Sequence, residues 1–325
     1  MKARIYITRK LPDEVVRGLQ EQFHVTMWEK VDIPVPYEIL EKEIQHVDGL
    51  FSMLTETIDE KLLQKAKKLK VISTMAVGYN NIDIAAASKQ RIMVTHTPGV
   101  LTETTADLTF ALLMAAARRV IEASDYVRKG SWKTWSPMLL TGQDIYGSTL
   151  GIIGFGQIGQ ALARRAAGFN MKVLYYSRSR KEHAEKETGA IYTDLESLLK
   201  ESDFVSVLTP LTAETKHIID EKELALMKKT AILINTARGE VVNETALYQA
   251  LQNGEILAAG LDVFQEEPIS MDHPLLTLPN VVALPHIGSA SVKTRLAMAH
   301  LAAQQLIDGL HGKRPENTVN PIVFE

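Results

Sequence analysis

Arg238, Glu267 and His286 each follow a short apolar run typical of a buried strand. If those strands are parallel, their carboxyl ends meet at one edge of a sheet, which is where open sheets bind ligands. Arg238 offers a cation for a carboxylate, His286 a proton for a nascent alkoxide, and Glu267 a charge that stabilises the protonated ring. A single His or Arg would more often be structural, but three together at strand ends favour catalysis. The set predicts reduction of a 2-keto acid to a 2-hydroxy acid, with His286 as the base in the reverse direction.

A glycine-rich turn lies between a strand-like run at 150–153 and a helical pattern at 160–167. It has the G-x-G-x-x-G spacing of a dinucleotide-binding loop and consists of Gly154, Phe155, Gly156, Gln157, Ile158 and Gly159. In such loops the first glycine permits a tight turn, the second lets backbone N–H groups approach a pyrophosphate, and the third allows close packing of helix on strand. The context on both sides predicts a nicotinamide dinucleotide as cofactor.

The next predicted strand, 172–176, ends without the acidic residue that would bind the adenosine ribose of NAD(H). Two hydroxyls and two guanidinium groups follow instead, from Ser177, Arg178, Ser179 and Arg180. Because arginine binds phosphate through a permanently charged, bidentate fork, this turn predicts that NADP(H) is preferred, with NAD(H) possible. The alternative is that these arginines only face solvent.

Apolar runs alternate with helical patterns in both halves of the chain, which predicts parallel βα units. The runs are at residues 4–8, 25–28, 49–54, 71–74 and 92–95, and then at 149–154, 172–176, 204–208, 231–236, 256–263 and 281–284. The expected fold class is α/β, with two doubly wound parallel-sheet domains of the Rossmann-like or flavodoxin-like kind. We expect residues 101–288 to form the dinucleotide-binding domain, and residues 1–100 with 289–325 to form the other.

Two long helices are predicted between and after these sets of strands. One covers 101–127 and is capped by Thr102 or Thr97, and the other covers 289–310. The second is followed by too few residues for a domain of its own, so we expect it to pack on the first domain.

The composition is that of an ordinary folded protein, with 46% hydrophobic and 23% charged residues among 325. A net charge of −3 gives no electrostatic footprint for nucleic acid or an anionic membrane surface. The absence of cysteine excludes disulfides, thiolate nucleophiles and cysteine-bound zinc, and no metal is expected. With no signal-peptide pattern and no apolar stretch of membrane-spanning length, we expect a cytoplasmic protein.

Four motifs carry a resemblance to the D-isomer-specific 2-hydroxyacid dehydrogenases that extends over essentially the full length. They are Asn235-Thr236-Ala237-Arg238-Gly239, Gly260-Leu261-Asp262-Val263-Phe264, Glu267-Pro268 and Pro285-His286-Ile287-Gly288-Ser289-Ala290. Within that family the chain is most similar to glyoxylate/hydroxypyruvate reductases and to 2-ketogluconate reductases (gluconate 2-dehydrogenases). The resemblance implies D stereochemistry and a substrate domain built from both chain ends.

The resemblance also implies contacts beyond the three catalytic residues. Cofactor contacts are implied for Thr105, Pro210, Thr236, Ala237, Asp262 and Gly288, and substrate contacts for Leu54, Val77, Gly78 and Ser289 besides Arg238. Val77 and Gly78 would hold the substrate carboxylate through backbone N–H groups, although the same segment also fits an ordinary glycine turn. The segment 132–140 corresponds to a loop that reaches the partner subunit in family dimers, so a homodimer is implied.

Other readings of the sequence stay open. A short-chain dehydrogenase needs Tyr-x-x-x-Lys on a helix, and Tyr6 to Lys10 has that spacing, but on a predicted strand. A protein of the same fold can instead act as a dinucleotide-sensing regulator. A dehydrogenase for another 2-keto acid, such as 3-phosphohydroxypyruvate, would use the same reacting group.

Overall fold

Two α/β units make up residues 2–325, the part of the chain that the computed structural model describes. The first unit combines the residues up to Leu101 with Ser291–Glu325, and the second is Thr102–Ala290. The predicted boundaries lie after residues 100 and 288. Within the described residues, no helix is long and apolar enough to cross a membrane.

The first unit has a parallel sheet flanked by short helices. In chain order its elements are β1 Arg4–Ile7, α1 Asp13–Gln22, β2 His24–Met27, α2 Tyr37–Glu43, β3 Gly49–Ser52, α3 Glu60–Leu63, β4 Val71–Thr74, α4 Ile84–Lys89 and β5 Met93–Thr95. Within residues 2–325 the strand order is β2-β1-β3-β4-β5. Every residue of β3, β4 and β5 is buried, as expected for a parallel sheet covered on both faces.

The second unit has a larger parallel sheet. Its elements are α5 Thr102–Ala117, α6 Val120–Arg128, β6 Thr149–Ile153, α7 Gln157–Ala167, β7 Lys172–Tyr176, α8 Glu182–Thr188, β8 Ile191–Tyr192, α9 Leu195–Glu201, β9 Phe204–Val207, α10 Glu221–Leu226, β10 Ile232–Asn235, α11 Glu244–Gln252, β11 Ala258–Leu261 and β12 Val281–Ala283, with 3₁₀ turns at Gly239–Val241 and Pro274–Thr277. In the described chain the strand order is β12-β11-β10-β9-β6-β7-β8. The order reverses direction at β6, and such a switch point is where doubly wound sheets bind ligands. The predicted fold class, two open parallel α/β sheets, is confirmed.

The long helix predicted at 101–127 is wrong, because it is broken near Arg119. The α5 helix ends at Ala117, and Arg119 takes a left-handed φ of 51° before α6 begins. A distant segment causes the break: Gln143 N donates to Ala117 O at 2.9 Å, and a Cβ on Gly142 would lie 2.0 Å from that same oxygen. Neither predicted cap is found: Thr102 is already the first residue of α5, and the buried Thr97 hydroxyl has no hydrogen-bond partner within residues 2–325.

The C-terminal helix, α12, covers Val292–Leu310 and belongs to the first unit. It begins three residues later than predicted, because Ser291 caps it by accepting from Thr294 N. The helix packs on β3 and β4, and Ser73 Oγ donates to Ala302 O at 2.8 Å. The last helix of the chain therefore covers a sheet made by the first residues.

Tyr6 lies in β1 with its ring buried, so the Tyr6 to Lys10 spacing is not on a helix. The structure thereby removes the observation behind the short-chain dehydrogenase reading.

The tail beyond α12 is tied to β5 through the buried side chain of Asn320. Its Oδ1 accepts from Val94 N at 2.9 Å, and its Nδ2 donates to Ile92 O at 2.9 Å. These bonds satisfy backbone groups at the edge of the sheet. Asn320 is thus a polar anchor of the first unit.

We expect Asn320→Ala to destabilise the protein by roughly 2–4 kcal/mol, because it leaves the amide of Val94 and the carbonyl of Ile92 buried without partners. Chemical denaturation followed by circular dichroism would measure the change. Asn317→Ala is the matched control, since the Asn317 side chain has no hydrogen bond to residues 2–325. Equal effects of the two substitutions would contradict the anchoring role.

Candidate active site

The glycine loop joins β6 to α7 at the switch point of the second sheet. Gly154 has a φ of +98°, and a Cβ there would lie 2.6 Å from Thr209 N. A Cβ on Gly159 would lie 2.5 Å from Gly154 O. Both positions therefore require glycine, whereas a Cβ on Gly156 would meet nothing within 4 Å and faces open space.

The first turn of α7 lies inside the glycine motif. The helix begins at Gln157 rather than at the predicted residue 160, and Gly156 is its N-cap with no side chain to bind the first N–H groups. The backbone N–H groups of an uncapped first turn are available to an anion, as is the positive end of the helix dipole. The loop thus combines open space at Gly156 with donors suited to a pyrophosphate. Phe155, by contrast, is buried, and Ile158 packs on the core of the unit.

The four predicted phosphate-binding residues, in the turn after β7, differ in their hydrogen-bond and ion-pair partners. Ser177 Oγ donates to Ser179 O at 2.7 Å. Arg180 is paired with Glu185, with Nη2 2.8 Å from Oε2. Arg178 is exposed and makes no hydrogen bond or ion pair with the described residues. Sequence reasoning missed the partner of Arg180.

Three of the predicted cofactor residues lie together at the edge formed by β10, β11 and β12. A Cβ on Gly288 would be 3.3 Å from Asp262 Oδ2 and 3.4 Å from Thr105 Cγ2. Asp262 is buried, and its Oδ1 accepts from Ile287 N at 2.8 Å. Burial raises the pKa of its carboxyl. Its Oδ2 is buried and has no hydrogen-bond partner within residues 2–325.

Two further predicted cofactor residues, Thr236 and Pro210, follow the neighbouring strands β10 and β9. Thr236 Oγ1 is 2.7 Å from Thr109 Oγ1, which in turn donates to Thr105 O. Pro210 follows β9, and its carbonyl accepts from Thr215 Oγ1 at 2.6 Å. The hydroxyl network fixes Thr236 at the end of β10.

His286 and Glu267 form a close pair at the same edge. His286 Nδ1 lies 2.6 Å from Glu267 Oε2, and Glu267 Oε1 accepts from Phe264 N at 3.0 Å. Burial raises the pKa of the Glu267 carboxyl, but the hydrogen bond and charge of His286, with Phe264 N and Arg238, outweigh it, so the pKa is lowered. His286 also has a left-handed φ of 55°, a strained conformation of the kind found at functional sites.

Arg238 is held by the turn that follows β10. Asn235 shapes this turn, because its Oδ1 accepts from Ala237 N and its Nδ2 donates to Arg238 O. The guanidinium donates through Nη1 to Ala237 O at 2.7 Å. Burial lowers the pKa of Arg238, and the negative charge of Glu267 opposes that shift. The structure therefore brings Arg238, Glu267 and His286 into one electrostatic group.

Glu244, which sequence reasoning missed, fixes the loop that carries Glu267. Its Oε1 accepts from Gln265 N at 2.7 Å, and its Oε2 is 3.2 Å from His273 Nε2. On the other side of the loop, a Cβ on Gly239 would lie 1.8 Å from the carbonyl carbon of Phe264. The only signal in the sequence would have been an acidic residue that follows the helix cap Asn243 and faces inwards.

The predicted substrate residues are divided between the units. Val77 and Gly78 lie in a loop of the first unit, where His96 Nδ1 is 2.8 Å from Val77 O. Leu54 lies in a second loop of that unit, and Asn81 Nδ2 joins the two loops by donating to Met53 O and to Glu56 O. Ser289 lies in the second unit.

Comparison with known proteins identifies relatives over the whole chain. Residues 110–288 match the family model described as D-isomer specific 2-hydroxyacid dehydrogenase, NAD binding domain. The chain is 52% identical to the glyoxylate reductase of Korarchaeum cryptofilum, and also 52% identical to that of Thermococcus litoralis. Each alignment covers 100% of this chain and 98% of the relative.

A solved structure of a related enzyme is also similar to this chain in three dimensions. The NADPH-dependent glyoxylate/hydroxypyruvate reductase of Sinorhizobium meliloti, in complex with NADP and malonate, is 32% identical with a TM-score of 0.86. The match covers 98% of this chain and 97% of that chain.

We expect Glu244→Ala to reduce stability by roughly 1–3 kcal/mol, because the N–H of Gln265 loses its buried acceptor. Glu244→Gln is the matched variant, since its amide oxygen can still accept from Gln265 N, and it should lose less. Urea denaturation would measure both free energies of unfolding. If the two variants were equally destabilised, the bond to Gln265 would not be the contact that matters.

Proposed function

The chain belongs to the D-isomer specific 2-hydroxyacid dehydrogenase family, and from that membership we propose that it reduces glyoxylate and related small 2-keto acids with NADPH. It is an NAD(P)-dependent oxidoreductase whose reaction is the reduction of a keto acid to a D-2-hydroxy acid. The observation that carries the proposal is the 2.6 Å pair of His286 and Glu267 beside the half-buried Arg238.

The residues at the switch point of the second unit fit a nicotinamide dinucleotide. The open space at Gly156 and the uncapped start of α7 suit the pyrophosphate. The buried, unpartnered Oδ2 of Asp262 can accept a hydrogen bond from a carboxamide, with Thr105 and Gly288 alongside. Thr236, Ala237 and Pro210 complete the proposed contacts, and the exposed Arg178 supports NADPH over NADH.

The three residues at the sheet edge have complementary roles in the proposed reaction. Arg238 binds the substrate carboxylate through its guanidinium. His286 holds a proton on Nε2 and transfers it to the 2-oxygen as that atom becomes an alkoxide. Glu267 accepts from Nδ1, which orients the ring and stabilises its protonated form. When bound, the reduced nicotinamide supplies the hydride that adds to the 2-keto carbon.

The choice of 2-keto acid rests on the relatives. Those at about 50% identity are named glyoxylate reductases, and a structural neighbour also reduces hydroxypyruvate according to its name. We therefore propose glyoxylate first, then hydroxypyruvate and 2-ketogluconate. Val77, Gly78, Leu54 and Ser289 stay predictions for the substrate contacts.

Turnover by the purified protein would test this function. The absorbance of reduced nicotinamide would be followed with glyoxylate, hydroxypyruvate and 2-ketogluconate, each with NADPH and with NADH. We expect glyoxylate turnover with a lower KM for NADPH, and almost none from His286→Ala, which lacks the proton donor. A folded protein that binds NADPH but turns over none of the three acids would favour a dinucleotide-sensing role or another substrate such as 3-phosphohydroxypyruvate.

We expect Glu267→Gln to lower kcat for keto-acid reduction by roughly 10- to 100-fold. The pKa of Glu267 lies below its ordinary value, so its carboxylate stays charged around neutral pH beside the ring of His286. Glutamine removes that charge, so the alkaline limb of the kcat/KM profile should move to lower pH. Glu266→Gln is the neighbouring control, because the Glu266 side chain makes no hydrogen bond or ion pair with residues 2–325. Superimposable pH profiles for both variants would exclude the proposed role of Glu267.

We also propose that the protein is a homodimer, formed through the second unit. Trp135 and Met138 are 76% and 75% exposed, and Val127 on α6 is 56% exposed. Monomers rarely expose so many large apolar side chains close together in the chain. A groove of about 780 Å³, lined by charged as well as apolar residues, lies between α6, the segment 141–143 and residues 276–282. We propose that side chains of a second copy occupy it.

We expect Trp135→Ser with Met138→Ser to convert the dimer into a monomer, because the exposed apolar area is lost. Light scattering coupled to size exclusion would report the mass. Met271→Ser is the control, since Met271 is 88% exposed in another loop and should leave the mass unchanged. A monomeric unsubstituted protein would rule out the dimer.

A further inference from the structure

The turn after β7 is closed by a clamp, which is made of Tyr175, Arg180, Lys181 and Glu185. Tyr175 Oη accepts from Lys181 N at 2.7 Å and donates to Glu185 Oε1 at 2.6 Å. Arg180 donates to both oxygens of Glu185, through Nε to Oε1 at 2.9 Å and through Nη2 to Oε2 at 2.8 Å. The bidentate geometry uses the same fork that would otherwise bind a phosphate.

Aromatic stacking on the glycine loop holds the clamp in place. The ring of Tyr175 is fully buried and lies on Phe155 of the glycine loop, with centroids 4.0 Å apart and planes 19° apart. Only 15% of the Glu185 side chain is exposed. Because Tyr175 cannot move without disturbing the glycine loop, Glu185 is held in place, and it holds Arg180.

The two arginines of the turn therefore differ in whether a carboxylate neutralises their positive charge. Arg180 and the Tyr175 hydroxyl lower the pKa of Glu185 to about 2. Glu185 is thus ionised at any working pH, and it balances the charge of Arg180. Arg178 is not clamped in this way, because it makes no ion pair within residues 2–325. Its charge acts on Glu214, whose pKa is lowered by the hydrogen bond from Thr212 and, more weakly, by Arg178.

We propose that Glu185 withholds Arg180 from the adenosine 2'-phosphate of NADPH, which leaves Arg178 as the guanidinium of this turn that can bind it. Glu185 is then a specificity-determining residue that limits how strongly the enzyme prefers NADPH over NADH. This inference rests on the proposed use of NADPH and assigns the phosphate site within it.

A double-mutant cycle on Arg180 and Glu185 shows whether Arg180 binds the phosphate or is held away from it by Glu185. Dissociation constants would be measured by calorimetry for NADP⁺, NAD⁺ and adenosine 2',5'-bisphosphate, so that no turnover is required. The variants are Arg178→Gln, Arg180→Gln, Glu185→Gln and the double variant Arg180→Gln with Glu185→Gln, whose net charge is unchanged. Thermal unfolding of each would verify that it is folded.

Arg178→Gln should weaken NADP⁺ binding by roughly 10- to 100-fold, the loss expected for hydrogen bonds to a charged group, and leave NAD⁺ binding nearly unchanged. Arg180→Gln alone should weaken NADP⁺ binding because Glu185 then repels the phosphate, and adding Glu185→Gln should restore it to within about threefold of the unsubstituted protein. Glu185→Gln alone should tighten NADP⁺ binding by releasing Arg180.

Different results would overturn the assignment. If the double variant bound NADP⁺ as weakly as Arg178→Gln, Arg180 would be a phosphate ligand and the clamp would open on binding. If Arg178→Gln left the ratio of NADP⁺ to NAD⁺ affinity unchanged, Arg178 would not be the ligand. A protein that binds neither dinucleotide would instead refute the proposed function itself.

Discussion

The contact between His286 and Glu267 is the interaction on which the site depends. Taking a carboxylate partly out of water is unfavourable, and Glu267 stays ionised because His286, Arg238 and the amide of Phe264 compensate. Burial lowers the pKa of Arg238, and the negative charge of Glu267 opposes that shift. The charged groups that would meet the substrate carboxylate and the cofactor are thus already arranged in the folded protein.

The rest of the second unit keeps these groups at bonding distance. Parallel pairing of β10, β11 and β12 brings three chain segments to one edge. The loop carrying Glu267 is then packed against Gly239 on one side and bound to Glu244 on the other. Neither contact touches the reacting atoms. Both limit how far Glu267 can move from His286, and a displacement of about 1 Å is enough to affect catalysis.

Much of this arrangement followed from local patterns in the sequence. The bounds of β4 and β7 were predicted to the residue, because each is rich in the β-branched or aromatic residues that favour strands. The residues at the ends of β10 to β12 were found because parallel topology brings such ends together. The break near Arg119 could not be found, since that stretch has helical propensity and the interruption comes from Gly142, more than twenty residues away. The pairing of Arg180 with Glu185 was also invisible, because it bridges a turn and the first residues of α8 and has no periodic signature.

The position of α12 has a consequence for how the protein is made. The faces of β3 and β4 that this helix covers belong to the first hundred residues, but the helix emerges from the ribosome only after the entire second unit has been synthesised. During elongation the second unit can fold as a complete body, while the nascent first unit exposes apolar strands that lack their cover. The first unit therefore completes its fold only after the second unit has been synthesised.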